Sequence, residues 1–150
     1  MATIKHIWAR EILDSRGIPT VECYCVLDDG RSATASSPAG TSSGSHEALE
    51  LRDKDKARYH GQGVLNACEN INLTLGPALV GMDPLKQAEI DQKLVTIDGT
   101  ENKSKYGGNA ILAVSEVVCK IAASLQGKPL YKWVNEMAVE RGFAREMKIP

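Results

Sequence analysis

Oxygen and charge gather in three stretches of this 150-residue chain, and each could do chemistry. The first is SPAGTSSGSHE at 37–47, crowded with serine and threonine hydroxyls, loosened by two glycines and closed by a His-Glu pair. Such oxygens are hard donors that suit Mg²⁺, usually beside carboxylates and phosphate. A loop bearing one could close over a site, exclude water and complete a metal shell. The second stretch is DSRG at 14–17, in a turn position. It reads either as a plain turn, with Asp14 bonding backbone amides and Gly17 at positive φ, or as a functional corner. The third is DGTENKSKYGGNA at 98–110, charged and glycine-rich, just before a long apolar run. It is either a linker that caps a helix through Asn109 or a functional loop.

Several familiar chemistries do not fit. The 37–47 stretch lacks the Lys-Ser/Thr ending of a phosphate-binding P-loop. TSSGS is not a nucleophile elbow, and no His/Asp pair is placed to activate Ser42. Cys23, Cys25, Cys68 and Cys119 form no CxxC pair and His6, His46 and His60 are scattered, which argues against zinc. The four cysteines read as reduced thiols in or near a core. A closing loop needs something to cover, and the sequence offers no carboxylate cluster with a general-base lysine.

The elements that must position these stretches follow from the apolar pattern. IKHIWAREIL (4–13), TVECYCVLDD (20–29) and RSATASS (31–37) read as three strands, with Val21, Cys23, Cys25 and Leu27 on one face. Asp29-Gly30 signals a hairpin. Ala33 and Ala35 leave room for something to pack closely on the third strand. VLNACENINLTL (64–75) has helical spacing and is expected to break or kink at Gly76-Pro77. Asp83-Pro84 predicts an N-cap and first turn for the helix containing Ile90, Leu94 and Ile97. The strongest helix starts at Asn109, with Ile111, Val114, Val118, Ile121 and Leu125 in one seam. Gly127 and Pro129 end it. A last helix spans 130–142, with Leu130, Trp133, Val134 and Met137 inward.

Strands followed by helices without alternation make an α+β fold: a three-stranded antiparallel meander followed by about four helices. The length suits one domain with a real core. Eighteen basic and nineteen acidic residues give a formal net charge of −1, no electrostatic reason to expect nucleic acid or an anionic membrane. No apolar run approaches membrane-spanning length, and the first residues do not read as a signal peptide, so the expected location is cytoplasmic.

AREILDSRGIPTVE (9–22), PAGTSSGSHEALELRD (38–53) and DGTENKSKYGGNAILAVS (98–115), in that order, resemble the enolases. YHGQGV (59–64), ALVGMDPLKQAEID (78–91) and GKPLY (127–131) extend the likeness along essentially the whole chain. It corresponds to the family's smaller N-terminal domain, here 1–142, with 143–150 as a connector to a C-terminal barrel that this sequence does not contain.

The resemblance implies a parent lyase, a homodimer or higher oligomer, that reversibly dehydrates 2-phosphoglycerate to phosphoenolpyruvate in glycolysis. Two Mg²⁺ ions, a lysine base and a glutamate acid serve the reaction, the protein groups coming from the barrel. This chain alone is therefore expected to be inactive, with no catalytic residue of its own. By the same resemblance, Ala39, Gly40, Thr41, Ser42, Ser43 and Gly44 belong to a closing loop, and Ser42 joins the second Mg²⁺. Ala39, Thr41 and Ser43 depart from the family's usual residues, and Gly108 stands where alanine is usual. Asp14, Ser15 and Arg16 are expected near the active-site mouth. Arg10 and Glu22 are expected at the dimer contact, or else are an exposed pair of strand charges. A different reading is a stand-alone binding module that docks on a separate barrel or other partner.

Overall fold

The computed structural model describes residues 2–40, 44 and 46–143. Strands β1 (Ile4–Leu13), β2 (Pro19–Leu27) and β3 (Ser32–Ser37) form one antiparallel sheet in the order β1-β2-β3. The register pairs Ile7 with Cys25, Arg10 with Glu22 and Cys23 with Ala35. Val21, Cys23, Cys25 and Leu27 all point into the core. Alternation in β1 is interrupted by a register shift between Ile4 and His6, which lets both Ile4 and Ile7 reach the same core. Gly30 takes the turn at positive φ, and its amide donates to the Leu27 carbonyl.

The helices cover the inner face of the sheet. Helix α1 (Leu65–Asn70) runs through a π-helical stretch (Ile71–Leu75) into α2 (Gly76–Leu79), so of the two expectations for Gly76-Pro77 the break does not occur and the helix continues with a local distortion. Proline has no amide to donate, and the widened turn just before it accommodates that loss. Gly76 has a different role. A Cβ there would lie 2.5 Å from the Ile7 carbonyl oxygen, so glycine lets this helix lie against β1. The Asn72 side chain then closes the sheet edge, accepting from the Ala9 amide at 2.7 Å and donating to its carbonyl at 3.1 Å.

Helix α3 (Gln87–Asp98) starts three residues later than Asp83 predicts. The Asp83 carboxylate accepts from the Leu85 amide and closes a local turn instead of capping the helix. Helix α4 (Gly108–Leu125) is the spine of the core, burying Ala110, Ala113, Val114, Val117, Val118 and Ile121. It packs against β2 and β3, where Ala35 leaves room, and Lys120 donates to the Thr34 carbonyl at 3.2 Å. With a mean hydropathy of 1.4 over 18 residues it has the length and composition of a membrane span. Its buried seam makes it a core helix. The thiols of Cys23, Cys25 and Cys68 are buried, and burial raises all three, Cys25 and Cys68 to about 12. That suppresses the reactive thiolate.

Helix α5 (Leu130–Glu140) corrects another expectation. It buries none of its residues; Leu130 and Val134 are exposed, and Trp133 and Met137 are half-buried. Its apolar spacing is real, but among the described residues that side is only partly covered, by contacts with α4 and by Lys128 over the Trp133 ring.

Candidate functional site

The site is built from the two ends of the Ser/Gly stretch and the turns that hold them. At the near end, Ser37 closes β3 and is buried, its carbonyl accepting from the Thr20 hydroxyl. Two residues on, the Ala39 carbonyl accepts from Arg16 Nη2 at 2.9 Å. Thr41, Ser42, Ser43 and Ser45 lie outside the described residues. Gly44 accepts from the Glu47 amide, and His46 and Glu47 are exposed.

At the far end the chain is stitched to the glycine-rich segment. The Leu49 amide donates to Asn102 at 2.8 Å, and the Leu49 carbonyl accepts from Gly108 at 2.7 Å. The Asn109 side chain accepts from the Leu51 amide and donates to the Leu51 carbonyl, each at 3.1 Å. Asn109 is therefore not the helix cap expected of it. Gly107 occupies the cap position at φ 96°, and Asn109 sits inside α4 with its amide turned to the neighbouring segment. A Cβ on Gly107 would come within 2.6 Å of both Asn109 Oδ1 and the Leu51 side chain. One on Gly108 would meet the Ala48 Cβ at 2.8 Å. The glycine at 108 thus matches a close approach of residue 48.

The 98–110 segment folds around Asp98, which is 2% exposed. Its carboxylate accepts from the Thr100 amide and hydroxyl and from the Tyr106 amide. Burial alone would raise this carboxyl, but the hydrogen bonds from Thr100 and Tyr106 outweigh it and hold the group below its usual range.

DSRG is the turn that the simple reading describes. The Asp14 carboxylate accepts from the amides of Arg16 and Ile18, and Gly17 supplies φ 74°. The Ile18 amide is the main cause that lowers the Asp14 carboxyl, with the Arg16 side chain adding to it. The turn also does something not visible in its residues: it brings Arg16 to Ala39.

Arg10 and Glu22 pair across β1 and β2 at 2.7 Å, and Tyr24 donates to the same carboxylate at 2.6 Å. The Tyr24 hydroxyl is the largest influence holding Glu22 low, with Arg10 beside it. Trp8 stacks on Tyr24 with ring centres 4.1 Å apart. This cluster is on the sheet face opposite the core. Arg52 was not singled out from the sequence, yet it ties the far end of the loop to the sheet. It donates to the carbonyls of Pro19 and Gln62 and to Glu50. An arginine inside a charged run gives no local signal of such a role.

Between the loop ends and helices α3 and α4 opens a cleft of about 780 Å³. Its described walls carry Glu47, Glu50 and Asp91 against one cation, Lys103. Glu50 is paired with Arg52 at 2.6 Å, and Asp91 accepts from Gln87 and Ser115. Among the described residues, no three His, Cys, Asp or Glu side chains are grouped to hold a metal ion. What this arrangement can do is present a hydroxyl-rich loop on two firm roots.

The sequence model of the family described as "Enolase, N-terminal domain" matches residues 4–134. An enolase of Mastigamoeba balamuthi is 54% identical over 140 residues, covering 92% of this chain. The chain spans only 31% of that relative's length. A three-stranded antiparallel sheet followed by four helical units, matched over 4–134, places this chain in the enolase family, as its N-terminal domain.

Proposed function

We propose that this chain is the loop-bearing N-terminal domain (1–142) of a cytoplasmic lyase that reversibly dehydrates 2-phosphoglycerate to phosphoenolpyruvate in glycolysis. Residues 143–150 lead toward a C-terminal barrel. The observation that carries this reading is the family match over 4–134 in a chain that spans 31% of its relative. The remaining length of such a protein is where the base, the acid and the metal carboxylates would lie.

Within that enzyme, residues 39–44 close over the barrel mouth, with Asp14, Ser15 and Arg16 beside them. The donor set fits a contributory role toward Mg²⁺: serine oxygens are suitable hard ligands, and Ser42 would supply them. When bound, Mg²⁺ would stabilise the negative charge that develops on the substrate carboxylate. The chain's own part is to present the loop and exclude water. The exposure of Leu130 and Val134 on α5, and of Phe143 at 83%, fits a domain that packs against a larger neighbour better than a free-standing module. Arg10 and Glu22, on the opposite sheet face, are proposed to meet the second subunit of a homodimer.

The test is turnover. The purified 150-residue chain, supplied with Mg²⁺ and 2-phosphoglycerate, is expected to form no phosphoenolpyruvate. A full-length enolase carrying the same first 150 residues is expected to form it, and Ser42→Ala in that protein to cut kcat by at least tenfold. Magnesium-dependent turnover by the short chain would overturn the division of labour.

A further inference from the structure

Three groups converge where the DSRG turn meets the Ser/Gly stretch. The Asp14 carboxylate is fully engaged. One oxygen accepts from the amides of Arg16 and Ile18 at 2.8 and 2.9 Å. The other accepts from Arg16 Nε at 3.0 Å and Nη2 at 2.8 Å. A guanidinium held through two nitrogens has a fixed plane. Its Nη2 then reaches the Ala39 carbonyl at 2.9 Å. Ala39 is 8% exposed, and Gly40 next to it is exposed. The turn itself is firm, because the Asp14 amide donates to Ile18 and the Gly17 amide to Asp14.

We propose that Asp14 and Arg16 are positioning residues that clasp the Ala39 carbonyl and fix the near root of the Ser/Gly loop. Any movement of the loop then begins at Gly40 and not at the end of β3. Leu49 and Leu51, bonded to Asn102, Gly108 and Asn109, fix the far root in the same way. Arginine is required. A lysine ammonium can satisfy Asp14 or Ala39, but it has no planar fork to hold both in one geometry. The consequence for catalysis rests on the proposal that the loop closes over a barrel.

Backbone ¹⁵N relaxation on the 150-residue chain tests the clasp. In the native chain the Ala39 amide is expected to be as rigid as strand backbone, with an order parameter of about 0.85. Arg16→Lys and Arg16→Met are expected to lower it to below about 0.6, while Val21 and Val114 keep their values. An Ala39 order parameter unchanged in both variants overturns the clasp. The Ile18 amide shift reports whether the turn survives, so a variant that merely unravels DSRG is recognised and Arg16→Lys is then the deciding one. In a full-length enolase carrying the same residues, Arg16→Lys is expected to raise KM for 2-phosphoglycerate about tenfold, with the pH profile of kcat unmoved. A loosened Ala39 with unchanged KM upholds the clasp and overturns the closing-loop reading.

Discussion

The 37–47 and 98–110 stretches look alike in sequence, both long, polar and glycine-bearing, yet they are held in different ways. The second wraps a buried aspartate. Asp98 draws in Thr100 and Tyr106, Thr100 in turn accepts from the Ser104 amide, and Asn70 donates to the Tyr106 carbonyl. The first is gripped at its roots, by Arg16 on one side and by Asn102, Gly108 and Asn109 on the other. Among its described residues, the one bond inside the span is the weak Glu47-to-Gly44 contact at 3.3 Å. Polar composition alone does not tell a folded loop from a presented one. A buried charge with enough donors does.

Substitutions sharpen this contrast. The largest effect is expected from Asp98→Ala, which strips the buried acceptor from two half-buried amides and a hydroxyl. It should cost about 2–3 kcal/mol in urea unfolding and release the 98–110 segment. A cost below about 1 kcal/mol would mean that the carboxylate does not organise the loop. The same group predicts a pH dependence. Its folded pKa is depressed, so its contribution is complete above about pH 5 and is lost as pH falls through ~4 toward the folded value. The stability of the native chain should therefore fall across that window more steeply than that of Asp98→Asn.

A smaller effect is expected at Gly108→Ala. The added Cβ would press on Ala48 at 2.8 Å, while alanine favours the helix. The net cost should be about 1 kcal/mol, and Ala48→Gly should relieve it in the double variant. Equal effects of Gly108→Ala with and without Ala48→Gly would show that the two segments are not in close contact. The smallest effect is expected in the other stretch. His46→Ala removes an exposed side chain and should leave the urea midpoint where it is. A marked shift would mean that the Ser/Gly loop is as tightly built in as its counterpart.

Much of the fold is written in local patterns. The meander follows from period-two alternation in 20–29 and the Asp29-Gly30 turn, and α4 from its broad apolar seam at helical spacing. The misreadings share a cause. Asp83-Pro84, Gly76-Pro77 and Asn109 each have residue types that commonly cap or break a helix. In each case a contact from elsewhere in the chain, or a competing local turn, took the residue instead. Asp83 bonds Leu85, Gly76 makes way for Ile7, and Asn109 serves Leu51. For α5 the apolar spacing was read correctly, but spacing cannot say whether the surface that completes the packing is present.

The loop motifs show the same division. Residue types and their order alone determined the family, the α+β class, the hydroxyl-rich loop and the turn chemistry of Asp14 and Gly17, because each depends on neighbours within a few positions. Only the tertiary structure decided that Arg16 reaches Ala39 across 23 residues and that Asn109 reaches Leu51 across 58. It also decided that Gly108 is small because Ala48 is near. These are meetings of distant segments, set by how the sheet and α4 pack, and no local pattern encodes them.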